Sequence, residues 1–147
     1  MIKQLYFPFL VYGLFLWHAM TYIWNITEPD AEYYVGVGCG LLLSCVSTVL
    51  CLFQPRLSAA VGAMCLLVSA PLFFNILMAV GLTVGLITPF LLISLIAFVI
   101  AVAGCVRVLL KGKRPDELNN KAKIAFCILP FLSLAVLMFI HYSLGFT

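Results

Sequence analysis

The stretch Ser58–Leu110 carries a single charged residue, Arg107. As one helix it would run roughly 80 Å, at about 1.5 Å per residue. One crossing of a hydrocarbon core about 30 Å thick takes about 20 apolar residues, so the stretch must cross twice. Gly81-Leu-Thr-Val-Gly85 supplies a turn, because glycine weakens helices and reaches turn conformations freely. This feature excludes a water-soluble fold. The whole chain is 65% hydrophobic and 9% charged, with a mean hydropathy of +1.22. Soluble domains carry about 25% charged residues, and small ones leave much of their surface in water.

The remaining apolar runs complete the count. Leu5–Trp24 forms a first span, Tyr33–Phe53 a second, 57–80 a third, 86–110 a fourth and 124–146 a fifth. Membrane strands are about 9–11 residues long and alternate in polarity, so the spans read as helices. The fold class is therefore an all-α integral membrane protein, with residues 1–147 as one membrane domain. Lys3 before an apolar run resembles the start of a signal peptide. Bulky Trp17, His18, Met20, Tyr22 and Trp24 occupy the places where cleavage needs small residues. The run reads as a retained span.

Orientation follows from the basic residues. Of eight Lys and Arg, six lie between Arg107 and Lys123, in and around the polar run "KGKRPDELNNKAK". Cytoplasmic loops are enriched in Lys and Arg. A cytoplasmic amino terminus and five crossings place Lys3, Arg56 and the Arg107–Lys123 region on the inner side, with the carboxyl terminus outside. The opposite side receives Glu28, Asp30 and Glu32. The pattern predicts an integral location in a bacterial inner membrane or its eukaryotic equivalent. The small net charge of +3 gives no nucleic-acid patch.

Local signals refine the helix ends. Thr27-Glu-Pro-Asp30 matches a capping box for the second helix. Glu117 and Lys121 are spaced i,i+4 in the favourable order, which predicts that the fifth helix starts near Pro115. Tyr22, Trp24, Tyr33 and Tyr34 cluster where an outer aromatic belt belongs. Pro71, Pro89 and Pro130 lie inside spans and can kink them. Asn25-Ile-Thr27 matches a glycosylation sequon that abuts the membrane.

Three groups of residues are candidates for function. Gly36, Gly40, Ser44 and Thr48 form a stripe of small residues that allows close helix approach, within the chain or against another subunit. His18 and His141 fall at similar depths in the first and fifth spans, with Asn75 at a comparable level. Ionisable groups in spans are functional candidates by default. Such a pair can ligate a b-type haem, meet a quinone head group, or simply hydrogen-bond a neighbour. The six cysteines show no Cys-x-x-Cys spacing and read as small apolar filler. No nucleotide loop, catalytic triad or metalloprotease motif is present, which disfavours an enzyme and a metal site.

These features predict a non-catalytic accessory subunit of a larger membrane complex, packed through its small-residue faces. Its partners would be lipid and other membrane subunits, or further copies of itself. The alternatives are a small oligomeric transporter or channel, and a redox subunit binding haem or quinone at His18 and His141.

Overall fold

The computed structural model describes residues 2–26, 31–84, 89–112, 114 and 117–144, the side chains of 2, 19–26, 79–84 and 89–91 excepted. A π-helical turn, Ile2–Tyr6, leads into α1, Phe7–Ile26. Then follow α2, Ala31–Leu50, α3, Pro55–Val84, α4, Pro89–Lys111, and α5, Asn120–Ser143. The described residues contain no strand. Four segments are long and apolar enough to cross a membrane: Ala31–Leu50, Pro55–Met78, Leu92–Lys111 and Asn120–Ser143.

Two helix ends differ from the sequence expectation. α3 runs through Gly81 to Val84, because one glycine costs a helix only about 1 kcal/mol. Residues 85–88 lie outside the described residues, and the described part of α4 begins at Pro89. α5 begins at Asn120 with Asn119 as its N-cap residue, so Glu117 is not helical and the Glu117–Lys121 helical pair does not form. Asn119 is extended, at φ −62° and ψ 148°, and makes no side-chain cap hydrogen bond, so the helix starts where the backbone turns and not at a side-chain cap. The capping box at Thr27–Asp30 lies outside the described residues, as do the side chains of Tyr22 and Trp24.

α1 touches all four other helices. Tyr6 of the amino-terminal turn and Phe9, Tyr12, Phe15 and Leu16 of α1 form one buried inward row, at spacings of three and four residues. Phe73 of α3 lies edge-on to Phe15, with centroids 5.2 Å apart, and stacks on Phe98 of α4 at 5.1 Å. The interior is thus filled by rings. The α2–α3 hairpin is drawn tight by Pro55 at the first position of α3 and by Gln54 N–H donating to Leu50 O at 2.7 Å.

Close backbone approach explains how the amino-terminal turn docks. The Gln4 carbonyl faces Gly104 of α4, where a β-carbon would collide with it. Gly112, with φ +60°, ends α4 in the left-handed conformation that glycine adopts without penalty. Its N–H bonds Val108 O at 2.9 Å, and the Arg56 guanidinium lies directly against its α-carbon. Arg56 at the start of α3 thus meets the end of α4, and Lys123 in α5 lies over Phe53 of the α2–α3 turn, 6.0 Å from the ring centre. The described basic residues share this end of the bundle, while Glu32 opens α2 at the other end.

Candidate functional site

The small-residue stripe of α2 faces its own chain. A β-carbon on Gly36 would meet Leu72, and one on Gly40 would meet Ser69 and Leu16. Ser44 Oγ donates to Phe9 O at 2.6 Å, and Thr48 Oγ1 donates to Ser44 O at 2.6 Å. Gly13 in α1 brings that helix onto Ser44. In an apolar solvent helices associate by such packing and by hydrogen bonds, the latter contributing about 0.6 kcal/mol each on average. Ser47 and Ser58 form a reciprocal clasp between α2 and α3, in which Ser58 Oγ donates to Ser47 O at 2.6 Å and Ser47 Oγ to Ser58 O at 3.0 Å. Ser69 Oγ donates to Cys65 O at 2.6 Å, so the Tyr12 hydroxyl must be the donor in its 2.7 Å contact with Ser69 Oγ. Cys65 Sγ donates to Gly40 O at 3.1 Å.

α5 is held differently. Pro130 and His141 are its buried residues, and it packs chiefly on α1 and α2. Two polar contacts fasten it to the amino-terminal segment. The first is at the basic end. Pro130 lacks the N–H that would bond the Phe126 carbonyl four residues back. The Tyr6 hydroxyl donates to that carbonyl instead, and its ring lies edge-on to Phe126 with centroids 5.1 Å apart.

The second contact joins the two histidines. His18 Nδ1 and His141 Nε2 are 3.1 Å apart, and His141 Nδ1 is 2.8 Å from Leu137 O. A carbonyl only accepts, so His141 Nδ1 carries hydrogen. In the neutral ring Nε2 then accepts, and His18 Nδ1 donates to it. The chain of donors runs from α1 to α5 and ends on the α5 backbone. Phe126 and His141 are about 22 Å apart along α5, at about 1.5 Å per residue, so the helix is pinned near both ends.

This geometry does not fit a haem ligated by both imidazoles. An iron between the two nitrogens, at about 2 Å from each, needs about 4 Å and a macrocycle between the rings. The nitrogens instead bond directly, with ring centroids 5.2 Å apart. Asn75 is exposed on α3 and takes no part in the pair. Among the described residues no three His, Cys, Asp or Glu side chains gather as metal ligands. The fastening at Tyr6, Phe126 and Pro130 was not anticipated from sequence. Its signal was the carbonyl that any proline inside a helix leaves four residues upstream.

No protein-family model, curated protein or solved structure matches this chain.

Proposed function

We propose that the chain is a non-catalytic accessory subunit of a larger integral membrane assembly. It crosses the bilayer five times, with α1 as the first crossing, the basic end in the cytoplasm and the carboxyl end outside. The observation that carries this reading is the contrast between a solid interior and an open fifth helix. Tyr6, Phe9, Tyr12, Phe15 and Phe73 are buried at the centre, and the void between α1, α2 and α5 holds only about 10 Å³. A transporter or channel built from one copy needs a polar path through that centre. The outer side of α5 presents Ala125, Leu132, Val136 and Phe139, all exposed and turned away from Pro130 and His141. Ala125, Leu132, Val136 and Phe139 recur at i, i+7, i+11 and i+14, the spacing of a helix-packing seam. The partner that suits this seam is a transmembrane helix of another subunit.

Gentle detergent extraction of the full-length protein followed by native mass measurement tests the proposal. A photo-crosslinker at Val136 is expected to capture a second, different membrane polypeptide that co-migrates with the chain. A monodisperse particle of this chain alone, single or self-associated, overturns it.

A further inference from the structure

A groove separates α2 from α5 on the flank of the bundle. Leu42, Val46 and Val49 of α2 form one wall, and Ile124, Cys127 and Phe131 of α5 form the other. Two open hollows of about 390 and 400 Å³ meet at Cys127, so the groove is continuous. Its lining is apolar along its length and changes at one end only. There Phe53, Asn120 and Lys123 form the mouth, with the Lys123 ammonium held over the Phe53 ring. From Asn120 to Phe131 along α5 the groove extends about 16 Å, taking about 1.5 Å per residue. Half of a hydrocarbon core about 30 Å thick is about 15 Å. The groove is therefore about as long as one leaflet is deep.

We propose that this groove binds one anionic phospholipid of the leaflet at the basic end, an acyl chain along Leu42–Phe131 and the phosphate on Lys123 and Asn120. Basic pockets between membrane helices bind anionic head groups in this way. A partner helix would not need a cation at one end of an otherwise apolar trough, whereas an anionic lipid matches both its depth and its charge. The site is separate from the outer face of α5. It does not depend on the accessory-subunit reading.

The test is native mass spectrometry of the full-length protein in detergent, titrated with phosphatidylglycerol and with phosphatidylcholine of the same acyl chains. One phosphatidylglycerol is expected to be retained preferentially. Lys123→Ala should weaken its retention about fivefold, the effect of one basic group near the surface. Lys121→Ala removes the same charge two residues away, from an exposed position outside the groove lining. It should weaken retention clearly less than Lys123→Ala does. Equal losses in the two variants, or equal retention of the two lipids by the wild type, overturn the proposal. A measurement without substitution gives a second check. N-ethylmaleimide modification of Cys127, followed by peptide mapping, should be slower in phosphatidylglycerol nanodiscs than in phosphatidylcholine nanodiscs. Equal rates would refute occupation of the groove.

Discussion

Removing the Tyr6 hydroxyl isolates the fastening at the basic end of α5. In Tyr6→Phe the ring and its edge-on contact with Phe126 remain, and the only loss is the donor to the Phe126 carbonyl. Pro130 cannot supply a replacement. A polar group left without a partner costs about 1–3 kcal/mol, while measured hydrogen bonds between membrane helices reach about 1.7 kcal/mol. The expected destabilisation is about 1.5 kcal/mol. Pro130→Ala restores an N–H four residues after Phe126, so the carbonyl regains a helical partner. In that background Tyr6→Phe should cost about 0.5 kcal/mol or less, a coupling of about 1 kcal/mol. Whatever void the lost proline ring leaves cancels in the double-mutant cycle. The assay is reversible unfolding in mixed micelles with increasing dodecyl sulfate, followed by tryptophan fluorescence. Equal losses in both backgrounds would refute the idea that Tyr6 stands in for the missing backbone donor.

Gly104→Ala should destabilise by about 1–3 kcal/mol, because the new methyl meets the Gln4 backbone carbonyl and not a side chain that can turn aside. Gly38→Ala adds a methyl where nothing lies within 4 Å and should be neutral or stabilising by up to about 1 kcal/mol in the same assay. His18→Ala and His141→Ala should each lose roughly 1 kcal/mol, and the double variant should lose less than the sum, since one hydrogen bond serves both residues. A tag on the carboxyl terminus should be cleaved by external protease in intact cells; protection there, with cleavage after lysis, would contradict the proposed orientation.

The helical class was legible in the sequence because lipid leaves few choices. Backbone groups without water must be satisfied within the segment, and runs of about 20 apolar residues can do that only as helices. The gathering of basic residues was legible for a related reason. Short connections force neighbouring helices to alternate in direction, so Arg56, Lys111 and Lys123 come to one end once the breaks are known. Boundaries read less well. Gly81 looked like a break and is helical, and Glu117 looked helical and is not.

The histidines show where sequence reading ends. Similar depth in two spans with the same direction was enough to nominate His18 and His141 as candidates, not to show that they meet. Whether their rings met depended on the rotation of α1 and α5, and apolar spans carry almost no periodic signal to set it. The same gap hid the partner of Ser44. Its place in the small-residue stripe marked a close-packed face without saying that Phe9 would receive its hydrogen bond, and Ser47, outside the stripe, bonds Ser58 with no signal from the spacing.

Proline is the exception, because it names an atom. Each proline inside a helix identifies a carbonyl four residues earlier that has lost its donor. Here Pro130 points to Phe126 and Pro71 to Leu67. The Phe126 carbonyl faces inward and meets the Tyr6 hydroxyl where the amino-terminal segment joins α5. Pro71 and Leu67 lie on the exposed side of α3 instead. A proline thus names the carbonyl it releases, and the rotation of its helix decides whether protein stands there to meet it.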